Sequence, residues 1–181
     1  MSNAQSKDVR DWIRTIPDFP KPGIQFRDVM PLFGSPQGLR TAVDGLIAPF
    51  RGREVAHVAG LEARGFIVGG AAACALGAGF LSLRKAGKLP GPRISQTYSL
   101  EYGEAELEVH EDAIQAGESV VILDDLLATG GTAEAAIRLV ERLGGVVLGA
   151  AFVVDLPDLG GRARLEKLGV QVHALAAYEG D

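Results

Sequence analysis

The sequence predicts an α/β fold: a mostly parallel central sheet with helices on both faces. Two observations predict it. Several short runs are apolar at nearly every position rather than every second one, as strands covered on both faces are. Helical patterns stand between those runs, which is the order of βαβ units. At 181 residues, 47% hydrophobic and 23% charged, one domain over residues 1–181 is expected.

The elements follow in order. A short helix is expected near residues 6–14. The stretch "PDFPKPGIQFRDVMP" (17–31) carries prolines and Gly23 that forbid a long regular element. A helix is expected over about 36–50. "EVAHVAGL" (54–61) reads as a short, nearly all-apolar strand, and a Gly/Ala-rich helix over about 66–76 follows it. "GFLSLRK" (79–85) and "SVVILDD" (119–125) read as the second and third strands. Residues 132–143 place Ala133, Ala136, Ile137 and Val140 at helical spacing, with Gly144 suited to the C-cap. "VVLGAAFVVDL" (146–156) is a fourth strand, 162–168 a short helix, and "VQVHALAA" (170–177) a last strand. Between 89 and 113 the character changes: "YSLEYG" and "AELEVH" read as a polar hairpin. It is the one long insertion, and such insertions in compact domains are often lids.

Composition excludes some functions. A formal net charge of -5 gives no broad attraction to nucleic acid or anionic lipid, while a local cationic pocket can still hold a small anion. Cys74 is the sole cysteine, so no intrachain disulfide forms. Residues 1–14 include Lys7, Asp8, Arg10 and Asp11 and no apolar core of a signal peptide, which points to the cytoplasm. Residues 65–83 carry no charge and include a GxxxG at Gly65 and Gly69. They are mostly Gly and Ala, and "GAG" at 77–79 reads as a helix stop before a new strand. The expectation is a small-faced helix lying close on the sheet, not a membrane span.

The chemistry centres on "VVILDDLLATGGT" (120–132). In a doubly wound sheet, ligands sit at the carboxyl ends of the strands, where Asp124 and Asp125 fall. Gly130 and Gly131 let several backbone N–H groups face one anion, and a helix opening at Thr132 adds its own. Thr129 and Thr132 add hydroxyl donors. The loop is a phosphate cradle, but neither GxxxxGK[ST] nor GxGxxG occurs. Two carboxylates repel phosphate, so they are expected to face another part of the ligand. A ribose diol fits, and it can share a magnesium ion.

"DDLLATGGT" closely resembles the phosphoribosyl pyrophosphate-binding motif of the type I phosphoribosyltransferases, and its wording is similar to the adenine phosphoribosyltransferase family in particular. The resemblance implies the type I phosphoribosyltransferase fold, with a base-binding segment at about 12–34 and a flap hairpin at about 89–110. Asp124, Asp125, Ala128, Thr129, Gly130, Gly131 and Thr132 would hold the ribose and its 5′-phosphate. "AGLEARGF" (59–66) resembles the pyrophosphate loop, with Arg64 as the ligand and a non-proline cis peptide near Glu62–Ala63. "LRKAGKLPG" (83–91) gathers Arg84, Lys85 and Lys88, and Lys88 is the residue expected at the leaving group. In "YSLEYG" (98–103), Glu101 matches an acid near the purine and Tyr102 a flap tyrosine near the reaction centre. "FPKPGIQFRD" (19–28) resembles the segment whose main chain recognises adenine, here around Gln25 and Arg27. Phe26 would stack on one face of the base and Leu126 on the other. Gln25 departs from the apolar residue expected there.

The implied reaction joins adenine to phosphoribosyl pyrophosphate, giving AMP and pyrophosphate in purine salvage. Mg2+ is the implied cofactor, held mainly through substrate with no direct protein ligand, and a homodimer is the implied assembly. Neither nucleic acid nor membrane is an expected partner. A 6-oxopurine (hypoxanthine, guanine or xanthine) is the alternative base, and a phosphoribosyl pyrophosphate-sensing regulator the alternative class. His57 is read as a satisfied core residue. His110 and His173 have no Cys or His partners at metal spacing.

Overall fold

Strands that are apolar on both faces need a covering layer on each side, and the chain supplies two. In the computed structural model, which describes residues 8–99 and 103–180, a single 3-10 turn at Val9–Trp12 precedes β1 (Arg14–Pro17) and β2 (Gln25–Asp28). Helices α1 (Met30–Gly34) and α2 (Pro36–Ile47) follow, and a 3-10 turn at Ala48–Phe50 completes the helical span expected to residue 50. The chain continues through β3 (His57–Leu61), α3 (Gly65–Leu76), β4 (Gly79–Lys85), β5 (Arg93–Ser99) and β6 (Glu104–His110). It ends with β7 (Ser119–Leu127), α4 (Gly131–Arg142), β8 (Val146–Asp155), α5 (Gly161–Glu166) and β9 (Val172–Ala177).

Among the described residues the main sheet has seven strands in the order β5-β6-β4-β3-β7-β8-β9. The run from β4 to β9 is parallel, whereas β6 joins β4 antiparallel and β5 joins β6 antiparallel. Successive side chains of a strand point to opposite faces. Accordingly Val120 and Ile122 of β7 pack with Ala136, Ile137 and Val140 of α4 on one face. Val121 and Leu123 pack with α2 and α3 residues, Leu46 and Val68 among them, on the other. Ala150 and Phe152 of β8 repeat the first pattern, Ala151 and Val153 the second.

The Gly/Ala helix is close to the sheet, as its composition predicts. A Cβ on Gly69 would come within 3.2 Å of the Gly60 Cα and 2.9 Å of the Phe80 ring. Gly77 ends α3 with a φ of 68°. No helix among the described residues is long and apolar enough to cross a membrane.

The structure corrects five expectations. The segment before β2 is not merely irregular, because Arg14–Pro17 pairs with it as a separate two-stranded antiparallel sheet. The strand expected from residue 54 starts at His57, and the one expected to end at 125 runs on to Leu127. The acid pair, expected as the last two residues of its strand, is thus followed by two further strand residues, Leu126 and Leu127. The polar hairpin is not a detached excursion: Arg84 and Lys85 pair with Glu108 and Leu107, so β6 extends the sheet edge. His57 is satisfied but only half-buried, its Nε2 lying 2.9 Å from Glu118 Oε2.

Candidate active site

From β3 the chain moves to β4 on one side. From β7 it moves to β8 and β9 on the other. The strand order thus reverses between β3 and β7. In open α/β sheets such a switch point opens a crevice at the carboxyl ends of the strands. The loops after β3 and β7 flank it.

On the β7 side, the first helical bond of α4 runs from Glu134 N–H to Gly130 C=O, 2.9 Å. The amides of Gly131, Thr132 and Ala133 therefore have no partner within the helix. No side chain caps this end. Gly130 has a φ of 79°, a region that glycine enters without a Cβ penalty. The turn is held from behind by Gly161, whose N–H donates to Ala128 C=O at 3.0 Å. A Cβ on Gly161 would fall 2.2 Å from that same oxygen. The result is a hollow of about 180 Å³ walled by Asp124, Leu126, Leu127, Phe152 and the loop from Ala128 to Ala133. Amide donors and a helix's positive end suit it to an anion.

A second hollow of about 440 Å³ shares Asp124, Leu126 and Thr132 with the first and adds Arg64, Asp125, Lys85 and Tyr98. Here the acid pair divides. Asp125 is 5% exposed and accepts from Arg64 Nε at 2.6 Å. Asp124 is more accessible, and one of its oxygens accepts from the Asp125 N–H at 2.8 Å. Burial, and then the charge of Asp125 beside it, push the Asp124 carboxyl well above the usual carboxylate range, with Arg64 pulling weakly the other way. Such a group gains from any cation or hydroxyl pair that arrives. Its hard oxygens suit magnesium. Among the described residues no three His, Cys, Asp or Glu side chains gather to hold a metal.

The loop after β3 contains the cis Glu62–Ala63 peptide that the resemblance implies. Glu62 is the hub of the basic turn. Lys88 Nζ donates to it at 2.8 Å, Arg84 stands 3.5 Å away, and the Lys85 N–H donates at 3.0 Å. The Lys88 bond leads in holding the Glu62 carboxyl down at about 2, against its burial. The cationic turn is thus tied to the Arg64 loop rather than left as a loose solvated patch.

On the side where the resemblance implies the base, Phe26 packs edge-on against Phe19, and its ring lies 5.9 Å from the Arg64 guanidinium carbon. That contact brings β2 beside the acid pair. Gln25 and Arg27 flank Phe26 on β2, and Leu126 lines both hollows. Arg27 donates to Thr15 Oγ1 at 2.8 Å. Glu101 and Tyr102 lie outside the described residues.

Sequence reasoning missed three participants. Tyr98 is buried and lines the second hollow. Glu62 organises the cations. Gly65 opens α3 where a Cβ would meet Asp124 Oδ1 at 2.7 Å. Only Gly65 carried a signal, the GxxxG noted for another reason. A larger hollow of about 500 Å³ lies beside the first residues of β9, walled by Phe50, Val170 and His173. It holds Glu166 and no lysine or arginine, so it does not suit a phosphate-bearing ligand.

An acid pair leading into an uncapped helix end at a switch point is the arrangement of a nucleotide- or sugar-phosphate-binding enzyme. Comparison with known proteins agrees. Residues 38–169 match the phosphoribosyl transferase domain. The adenine phosphoribosyltransferase of Cereibacter sphaeroides is 66% identical over 174 residues, covering 96% of this chain and 98% of the relative. That of Roseobacter denitrificans is 62% identical over 174 residues, covering 96% and 99%. The crystal structure of adenine phosphoribosyltransferase from Rhodothermus marinus superposes with a TM-score of 0.88 at 51% identity, covering 94% of this chain and 96% of that one. The enzyme from Saccharomyces cerevisiae, complexed with an imino-altritol bisphosphate and adenine, gives 0.86 at 41% identity, covering 93% and 96%. The chain belongs to the type I phosphoribosyltransferases, within the adenine phosphoribosyltransferase family.

Proposed function

We propose that this chain transfers the 5-phosphoribosyl group from phosphoribosyl pyrophosphate to adenine, giving AMP and pyrophosphate in purine salvage. One observation carries the reading: Asp124 and the unpartnered amides of α4 share one hollow, so one strand-to-helix turn can grip a ribose and its 5′-phosphate together. The neighbouring base segment, with Phe26 beside Arg64, supports a purine as the acceptor.

The roles follow from charge. Ala128 to Thr132 anchor the 5′-phosphate, whose binding energy offsets distortion at the reacting carbon. Adenine N9 attacks the anomeric carbon as pyrophosphate leaves. Asp124 orients the ribose hydroxyls, and the field of the acid pair favours an oxocarbenium-like transition state. Asp125 holds Arg64, whose guanidinium receives the pyrophosphate with Lys88. Magnesium would be held mainly by the substrate's own oxygens, with no direct protein ligand, and would supply neutralisation of the leaving group's charge. Glu101 hydrogen-bonds the base near N7, and Tyr102 stands over the reaction centre. Phe26 and Leu126 sandwich the base while main-chain groups around Gln25 and Arg27 read its edge. One domain, residues 1–181, carries all this, with the base segment at about 12–34 and a flap at about 89–110 that excludes water. The working form is a cytoplasmic homodimer.

The test is nucleotide formation from phosphoribosyl pyrophosphate and magnesium with one base at a time. AMP from adenine alone is expected. Product from hypoxanthine, guanine or xanthine instead would overturn the base reading. Saturable binding of phosphoribosyl pyrophosphate without product from any base would replace the enzyme with a sensor.

A further inference from the structure

The base segment sits on a small sheet of its own, β1–β2, whose ladder among the described residues pairs only with itself. Its Arg14–Asp28 ion pair, 2.6 Å, is also internal to that sheet. Something must set its distance from the phosphate loop, because a purine bound by one and a ribose bound by the other share a single glycosidic bond. The C-terminal residues just past β9 lie between the two. The Arg27 guanidinium carbon stands 4.3 Å over the centre of the Tyr178 ring. The Tyr178 N–H donates to Asp155 C=O at 3.1 Å. Asp155 is the residue of β8 in register with Leu127 of β7, and the Leu156 N–H donates to Leu127 C=O at 3.0 Å. Leu127 directly precedes the phosphate loop. Two residues beyond Tyr178, the Gly180 N–H donates to Asp158 Oδ2 at 2.7 Å, which pins the tail on its other side.

We infer that Tyr178 is a positioning residue for base recognition: its ring carries the Arg27 side chain, and through its backbone it fixes β2 against the strand that leads into the phosphate loop. This rests on the reading of β2 as the base-binding segment. The Arg27 side chain is then an anchor, stacked on Tyr178 and bonded to Thr15, rather than a group that reads the purine. The ring matters, not the phenol oxygen, because a guanidinium is drawn to the π-face.

The assay is steady-state kinetics on the full chain, run first with each base on the unsubstituted protein. Tyr178→Leu should raise KM for adenine about five- to tenfold and leave KM for phosphoribosyl pyrophosphate within about twofold. Tyr178→Phe should restore the adenine KM to within about twofold of the original. An unchanged adenine KM in the leucine variant overturns the inference, as does a parallel rise in both KM values. A phenylalanine variant as impaired as the leucine one overturns it too. If Tyr178→Leu does not fold, Arg27→Met tests the same contact from the other end. A raised adenine KM alone supports the tie, and an unchanged one overturns it. A protein that uses a 6-oxopurine instead fails the adenine reading, yet the same comparison, run with that base, still decides the tie.

Discussion

The loop from Ala128 to Gly130 is continuous with β7 and α4, two elements largely buried in the core, and offers mainly backbone amides. The hairpin β1–β2 is a separate two-stranded sheet whose residues are mostly half-buried or exposed, and it meets the body through side chains such as Phe26 and Arg27. The contrast follows the ligands. Every substrate of this chemistry carries the same phosphorylated ribose, so that end can be set in the core. The base is the part that distinguishes one member of the class from another, and in the proposed site it would be met by this peripheral element, whose ladder is separate from the main sheet.

That comparison can be broken most directly at the acid pair. Replacing both Asp124 and Asp125 by Asn should lower kcat/KM about 10²- to 10³-fold in the AMP-forming assay. A loss below about tenfold would mean that the core end does not carry the catalysis. Gly130→Ala should destabilise the fold by about 1–2 kcal/mol in thermal melts, since it forces a side chain to positive φ against Gly161, 3.0 Å away. It should also weaken phosphoribosyl pyrophosphate more than adenine. Phe26→Ala makes the converse test: adenine KM should rise about tenfold with phosphoribosyl pyrophosphate within about twofold.

Glu62 sharpens the picture for the pyrophosphate side. Its carboxyl is held at about 2, below the ordinary 4.5, mainly by Lys88. A depressed acid adds stability above its unfolded value, and that stability is lost as pH falls from 4.5 towards 2. Because Lys88 is half exposed, the effect is discounted to on the order of 1 kcal/mol. Denaturant titrations should show that Glu62→Gln removes this part of the acid slope. Gln25→Leu is the mildest change: if the backbone does the reading, adenine KM should stay within about threefold.

The strands and the glycine turn after β7 were legible in the sequence because their signals are local. Continuous apolar runs mark β3, β7 and β8, and Gly130 and Gly131 sit beside the acids they serve. β1 was not legible. "RTIP" has neither an apolar run nor a clean alternation, and it is a strand only because β2 returns beside it. The site's cross-links were invisible for the same reason. Arg64 to Asp125, Lys88 to Glu62 and Tyr178 to Arg27 each join segments that become neighbours only after the sheet forms. The pairing of β6 with β4 was likewise hidden, since "AELEVH" reads as a polar hairpin whether it pairs with the main sheet or stands apart.

Gly65 and Asp124 occupy one another's space, with 2.7 Å between a would-be Cβ and the carboxylate oxygen. These two positions are therefore epistatic. A lineage that keeps the acid must keep glycine at the start of α3, because even alanine displaces the carboxylate or the helix. A lineage that gives up the acid for a smaller side chain relieves the tightest contact, while the Leu123 carbonyl oxygen still stands 3.0 Å from the would-be Cβ. In descendants of this fold, a side chain at the position equivalent to 65 becomes a written record that the acid at 124 and the strand backbone carrying it have shifted away from the helix. It can be read from sequence before any assay.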